Sequence, residues 1–378
     1  MKSLFTFLLV AMMFGLCNAQ MDTMTHDGHE RYYKLHIPPS YDGKATPLII
    51  AMHGGVGSAD NLEDQSQLNA PADKAGYIVV YPEGRKFTGI RTWNAGVCCG
   101  QAARRNVDDV GFISALIDTL RGRVNIDTSR IYATGMSNGG FMAYRLACEL
   151  SDRIAAIAPV AASLTIEPCN PSRPVPVVHY HSKADASILH QGGIGSGLSK
   201  HYNPPLDSVI RAFGNHNKCV DSTVLYDKDK GLAYLALKSC SCEADVFYYL
   251  TDDGGHSWPG GKKTVIGDTV STAISASEDM IDFFSKHSLH CEPIGVEHVD
   301  AEAIQVSPNP VTGSLTISQL NEALEEVKIY SLQGKLIQEY RLPEFNGNVF
   351  DISHLPNGVY TIRVNERYSK RIVVMNNL

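Results

Sequence analysis

Residues 133–144 read ATGMSNGGFMAY, and within them Gly135-Met136-Ser137-Asn138-Gly139 fits the pattern G-x-S-x-G. The stretch before it, RIYAT at 130–134, is short and apolar and reads as a strand. The stretch after it, NGGFMAYRLACEL at 138–150, reads as a helix. A serine on so sharp a strand-to-helix turn has its hydroxyl lifted above the sheet. Glycines two before and two after suit the bend, because side chains there would collide across it. A serine hydroxyl is a poor nucleophile until a base takes its proton, so this reading requires a histidine and an acid further along the chain. Without them Ser137 is a helix N-cap.

Working outward, short apolar runs alternate with longer amphipathic stretches from about residue 30 to 290. PLIIAMHGG (47–55), GYIVVYPEG (76–84), IAAIAPVAA (154–162), VPVVHYH (175–181) and VFYYLTD (246–252) read as buried strands, several running into glycine turns. In VDDVGFISALIDTLRGR (107–123) Val110, Ile113, Leu116, Ile117 and Leu120 recur at three- and four-residue spacing behind the capping oxygens of Asp108 or Asp109, which predicts an amphipathic helix. AISASEDMIDFFSKH (273–287) predicts a closing helix. Strand and helix in alternation imply an α/β fold, a mostly parallel sheet covered by helices on both faces.

The required partners are present. Asp185 follows the strand VPVVHYH, and His256 sits in the glycine turn DDGGHSWPGG (252–261) after VFYYL. The order Ser137, Asp185, His256 is that of an α/β-hydrolase, and all three would project from the carboxyl ends of parallel strands. An oxyanion hole is expected from the amide of Asn138 and from the loop MHGGVGS (52–58), at Gly55. His53 reads as holding that loop rather than reacting. Asp252 and Asp253 are rivals to Asp185 for orienting the histidine. Trp93 and Trp258 are the two tryptophans; burial is the ordinary expectation for each, but Trp258, two residues from His256, is expected at the cleft, stacked on a substrate ring. His179 and His181 share one face of a strand and read as packing groups, with metal ligation the rival. GGIGSG (192–197) neither leaves a strand nor opens a helix and reads as a surface loop, not a dinucleotide site. No metal or cofactor is required.

Residues 1–19 carry Lys2, an apolar run from Leu4 to Leu16 and small residues at Cys17 and Ala19, the pattern of a secretory signal. No other run is long enough to span a membrane. A formal charge of -7 with scattered Lys and Arg leaves no basic stripe for nucleic acid. Nine cysteines less Cys17 leave an even number, which in an exported chain favours disulfides. Cys219 and Cys240 flank two strand-like runs joined by a turn and are expected to pair. Cys240-Ser241-Cys242 is too closely spaced for a good zinc pair. Cys98 and Cys99, being adjacent, are each expected to find a distant partner. The catalytic domain is expected over 20–290 and a linker over 291–302. Residues 303–378, where strand-like pieces are separated by Asn, Gly and Pro, are expected to form a small all-β sandwich.

MHGGVGSAD, WNAGVCCG, VDDVGFISALID, IYATGMSNGGFMAYRLACEL, IAAIAPVAA, PVPVVHYHSKAD and GGHSWPGG together span about residues 30–288. This set resembles the secreted esterases grouped with poly(3-hydroxybutyrate) depolymerases and feruloyl or acetylxylan esterases. The resemblance implies Ser137 as nucleophile, Asp185 as acid, His256 as base, and amides of the HGG loop and Asn138 as oxyanion donors. Ser182 departs from the pattern, standing where such proteins usually have glycine. VSPNPVTGSLTI, VKIYSLQGKLI, DISHLPNGVYTIRV and the ending SKRIVVM resemble the sorting domain of the type IX secretion system. That implies export across the outer membrane by the secretion machinery and removal of this domain on arrival. The expected activity is serine carboxylic ester hydrolysis, on feruloyl or acetyl esters of plant cell-wall polysaccharide. Polyhydroxybutyrate depolymerisation is the alternative, and a peptidase of the same fold a further one.

Overall fold

The computed structural model describes residues 21–264, 267–290, 304–318, 323–331, 336–341, 347–365 and 368–375. The expected signal segment and linker lie outside the described residues. The chain divides into two compact units that part between Cys291 and Glu292.

The strands of the first unit are β1 (Met21–His26), β2 (His29–His36), β3 (Thr46–Met52), β4 (Ile78–Pro82), β5 (Arg85–Phe87), β6 (Ile90–Thr92), β7 (Ile126–Met136), β8 (Ala156–Val160), β9 (Val177–Ser182), β10 (Asp221–Asp227), β11 (Leu232–Lys238) and β12 (Val246–Thr251). Its helices are α1 (Ala59–Ser66), α2 (Asn69–Ala75), α3 (Gly100–Arg104), α4 (Asp109–Arg121), α5 (Asn138–Glu149), α6 (Leu206–His216) and α7 (Ala276–Ser285). One sheet runs β1-β2-β4-β3-β7-β8-β9-β12-β11-β10, and β5 pairs with β6 apart from it. The six central strands, β4 to β12 in that order, are parallel, and an antiparallel pair extends each edge.

β3 shows why the central strands read as unbroken apolar runs. Leu48, Ile50 and Met52 enter one core with Phe112, Leu116 and Phe141 of α4 and α5, while Ile49 and Ala51 enter the other with Leu62, Ala72 and Phe284 of α1, α2 and α7. With both faces covered, alternation disappears. Helix starts follow their caps: the Gly111 N–H donates to Asp108 at 2.9 Å, and the Asn61 N–H to Ser58 at 3.2 Å. Asp109 has a different task, being wholly buried in an ion pair with Arg31 at 2.7 Å and accepting from the Asn94 N–H at 2.7 Å. Such a pair adds little net stability, because the cost of desolvating both charges offsets their attraction.

Cys219 pairs with Cys240 across the β10–β11 hairpin, as expected, and Cys148 with Cys169. Cys242 is disulfide-bonded too, so neither Cys240 nor Cys242 has a thiolate to give a metal. The expectation for Cys98 and Cys99 needs correction: they bond to each other. The peptide between them is cis, which brings their Cα atoms to 3.0 Å and makes a distant partner unnecessary.

In the second unit β13 (Gln305–Ser307), β14 (Ser314–Ser318) and β17 (Val349–Asp351) form one antiparallel sheet. β15 (Glu326–Ser331), β16 (Leu336–Arg341), β18 (Gly358–Val364) and β19 (Tyr368–Val374) form a second in the order β16-β15-β18-β19. Leu315, Ile317 and Phe350 of the first share one core with Val327, Ile329 and Ile362 of the second, which makes the unit a small β-sandwich.

Candidate active site

The parallel register sets the carboxyl ends of β3, β7 and β8 side by side, Met52 facing Gly135 and Met136 facing Val160, and sets Ser182 of β9 beside Thr251 of β12. Every candidate residue leaves the sheet at this edge. Ser137 stands between β7 and α5 at φ 52° and ψ -121°, and its N–H donates to the Val160 carbonyl at 2.9 Å. A non-glycine residue with positive φ is uncommon and is held only where its surroundings require it. Its hydroxyl makes no capping bond to α5, which removes the N-cap reading. Across the turn, a Cβ on Gly139 would collide with the Met52 carbonyl, and one on Gly135 would meet that oxygen and the Gly139 backbone. The two glycines are there for close approach.

Asp185 and His256 come together as expected: His256 Nδ1 lies 2.8 Å from Asp185 Oδ2. The other carboxylate oxygen accepts the N–H groups of Ser187 and Ile188, each at 2.8 Å. Burial pushes the Asp185 carboxyl up, but the hydrogen bond and charge of His256, with His181 and the Ile188 amide behind them, outweigh burial and hold it below the ordinary value. His256 is fixed from its own backbone, whose N–H donates to Asp268 at 2.7 Å. The rival acids are engaged elsewhere, Asp252 with Lys183 and Tyr226 and Asp253 with Ser271. Ser182 fits its position by donating to the Asp253 carbonyl at 2.6 Å and accepting from the Ala184 N–H at 3.0 Å.

Ser137 and His256 line one cavity of about 490 Å³, together with Gly54 and Gly55 of the loop after β3. Asn138, at the first position of α5, has a backbone N–H without an intrahelical acceptor. Its side chain clamps Trp93 at both backbone atoms, accepting at 2.7 Å and donating at 3.1 Å. The Trp93 indole donates to the His53 carbonyl at 2.9 Å. His53 accepts the Gly84 N–H on Nε2 at 3.0 Å, so its hydrogen is on Nδ1, which lies 2.7 Å from the Gly54 carbonyl. Burial lowers His53 to about 4. It is a neutral strut of the glycine loop, as the sequence implied.

Trp258 does not stack in the cleft. Gly254 and Gly255, both at positive φ, turn the chain so that His256 meets Asp185 while the indole of Trp258 enters the core against α7, wholly buried, with its N–H on Ser277 Oγ at 3.0 Å. Burying so large a ring with its one donor satisfied is the stronger arrangement. The surface loop GGIGSG also has more to do than its composition suggested. The Ser196 N–H donates to the Ala186 carbonyl at 2.9 Å, which ties the loop to the acid segment and brings Gly197 and Leu198 to the cavity wall. Asn61, Gln65, Thr264 and Asp268 line the same cavity, and no motif announced them. No group of metal-ligating side chains occurs among the described residues, and none of their helices is long and apolar enough to cross a membrane.

The family Esterase PHB depolymerase matches residues 31–217, and the Secretion system C-terminal sorting domain matches 305–375. Feruloyl esterase B of Piromyces equi is 36% identical over 166 residues, 42% of this chain and 30% of that protein, so the chain spans less than a third of that relative. NocK of Nocardia uniformis subsp. tsuyamanensis, named as an esterase, is 30% identical over 279 residues, 68% of this chain and 79% of NocK. An acetyl xylan esterase from Aspergillus awamori shares the fold with a TM-score of 0.50 at 12% identity, over 70% of this chain and 99% of that one. With a matched family and a relative aligned over most of its length, the chain belongs to the Esterase PHB depolymerase family, has the α/β-hydrolase fold and carries a C-terminal sorting domain.

Proposed function

We propose that the enzyme hydrolyses carboxylic esters through an acyl-enzyme on Ser137. Ser137 Oγ attacks the ester carbonyl carbon as its proton passes to His256 Nε2, and the amides of Asn138 and Gly55 receive the oxyanion. Collapse expels the alcohol, which takes that proton from His256. Water, deprotonated by the same histidine, then releases the acid. Asp185 holds the hydrogen on Nδ1 and carries the charge that balances the imidazolium. The observation that carries the reading is the 2.8 Å contact of Asp185 with His256, which shares a cavity with Ser137.

The favoured substrates are feruloyl or acetyl esters of plant cell-wall polysaccharide. The volume near 490 Å³ falls in the range of sites for drug-sized ligands, ample for an aromatic acyl group. Leu62, Met136 and Leu198 give it apolar walls, and Asn61 and Gln65 supply polar groups for ring substituents. Polyhydroxybutyrate is the second reading, favoured by the matched family. Export by an N-terminal signal over 1–19, with the sorting domain addressing the chain to the secretion machinery and the cell surface or medium, suits a polymeric substrate outside the cell. The test is hydrolysis of methyl ferulate, p-nitrophenyl acetate and a 3-hydroxybutyrate oligomer by the full protein and by Ser137→Ala. Methyl ferulate is expected to be the best of the three. Preference for the oligomer would shift the assignment to the polyester, and activity that survives Ser137→Ala would remove the mechanism.

A further inference from the structure

Behind Asp185 lies a line of buried polar side chains that the ester chemistry does not use. Tyr144 of α5 and His179 and His181 of β9 are each at most 1% exposed. Tyr144 Oη is 2.8 Å from His179 Nδ1, and His179 Nε2 is 3.2 Å from His181 Nδ1. His181 Nε2 is 2.8 Å from the Ile188 carbonyl and 3.4 Å from Asp185 Oδ2.

Each contact dictates the next. A carbonyl and a carboxylate only accept, so His181 carries its hydrogen on Nε2. A neutral imidazole has one N–H, which makes His181 Nδ1 an acceptor and His179 Nε2 its donor. His179 Nδ1 then accepts from the Tyr144 hydroxyl. Burial keeps His179 well below the ordinary histidine value, with the neighbouring His181 charge acting the same way, and burial lowers His181 to about 4, so both rings are neutral near pH 7. Besides Asp185, the titratable groups that bear on His181 are His256 and His190. The edge of Tyr248 packs on His179 at 5.6 Å between ring centroids. Every hydrogen in the line therefore points away from Tyr144 and towards the Ile188 carbonyl, with Asp185 Oδ2 3.4 Å from the last donor.

We propose that Tyr144, His179 and His181 form a one-way hydrogen-bond relay that fixes Asp185 and steadies its charge against His256, which makes His181 a positioning residue for hydrolysis. The inference rests on Asp185 being the acid that orients His256. No proton travels along the relay; its groups act as fixed dipoles. The loop that carries Asp185 is held at Ile188, whose N–H donates to Asp185 and whose carbonyl accepts from His181.

The test uses the full-length protein with p-nitrophenyl acetate. His181→Leu removes the donor, and His181→Gln keeps an N–H near the position of Nε2. For His181→Leu, kcat is expected to fall about tenfold with KM within twofold, because the buried Ile188 carbonyl loses its donor and the Asp185 loop loses its anchor. His181→Gln is expected to recover most of that rate, which a role in packing alone would not produce. Should His181→Leu fail to fold, nitrogen chemical shifts of the wild-type histidines decide: at pH 7 both His179 and His181 are expected as neutral Nε2–H tautomers. A folded His181→Leu with unchanged kcat, or an Nδ1–H tautomer at His181, overturns the relay. Activity that survives Ser137→Ala would instead overturn the reading beneath it, so the two failures are distinguishable.

Discussion

Replacing Asp185 with asparagine changes one oxygen to an amide nitrogen and leaves the volume almost unchanged, yet the surroundings allow the new side chain only one orientation. Oδ1 accepts two backbone N–H groups, from Ser187 and Ile188, each at 2.8 Å. The amide oxygen has to stay there, since the NH2 would face two donors. The NH2 therefore faces His256 Nδ1, where the carboxylate now accepts at 2.8 Å. Two donors cannot share that contact, so the imidazole moves its hydrogen to Nε2 and can no longer take the proton of Ser137. Loss of the correct tautomer in a Ser-His-Asp site is worth about 10⁴ in kcat, or about 5.5 kcal/mol of transition-state stabilisation. Steady-state hydrolysis of p-nitrophenyl acetate by Asp185→Asn is expected to show that loss in kcat with KM little changed, and circular dichroism a native spectrum. A folded Asn variant within tenfold of wild type would refute the reasoning, because it would mean that His256 does not take its tautomer from Asp185.

Replacing Cys219 and Cys240 together by serine opens a loop closed over a sequence separation of 21 residues and is expected to lower stability by about 3 kcal/mol, read by urea unfolding; an unchanged midpoint would contradict this. Stability should also fall with acid. His53 and His181 are buried and neutral, lowered by burial from 6.5 to about 4, so below pH 6.5 the unfolded chain binds protons that the folded chain refuses. The loss begins near 6.5, grows until about pH 4 and then levels off, and at pH 5 each histidine costs about 2 kcal/mol. The Asp185 carboxyl, held low in the folded state, adds stability above its unfolded value that is lost as pH falls through the folded one, in the same direction. A thermal midpoint equal at pH 7 and pH 5 would sink the assignment of the two neutral histidines. Leu198 is 51% exposed at the cavity wall, so Leu198→Ala is expected to raise KM for methyl ferulate about fivefold and to leave p-nitrophenyl acetate within twofold; equal effects on both esters would remove Leu198 from the acyl site.

The grouping of Ser137, Asp185 and His256 at one end of the sheet was legible because each demands a local pattern: glycines around a serine at positive φ, then an acid and a histidine after successive strands. β3 was legible from its unbroken apolar run, which burial on both faces requires. The place of Trp258 was not, since two residues of separation from His256 say nothing about side-chain direction once Gly254 and Gly255 turn the chain between them. Leu198 and Asp268 reach the cavity from loops whose paths are set by contacts distant in sequence, such as that of Ser196 with Ala186. The pairing of Cys98 with Cys99 was hidden in the same way, because it depends on a peptide geometry that composition does not reveal. His179 and His181 could be placed on one face of a strand, but the direction of the hydrogen bonds between them follows from Ile188, seven residues beyond His181.

In the proposed hydrolysis Ser137 is the group that bonds to the acyl carbon. Labelling the full protein with a fluorophosphonate, followed by peptide mapping, tests it most directly. One adduct is expected, on the peptide containing GMSNGG at 135–140, formed together with loss of ester hydrolysis and absent from Ser137→Ala. A folded protein that hydrolyses esters while Ser137 stays unlabelled would contradict it.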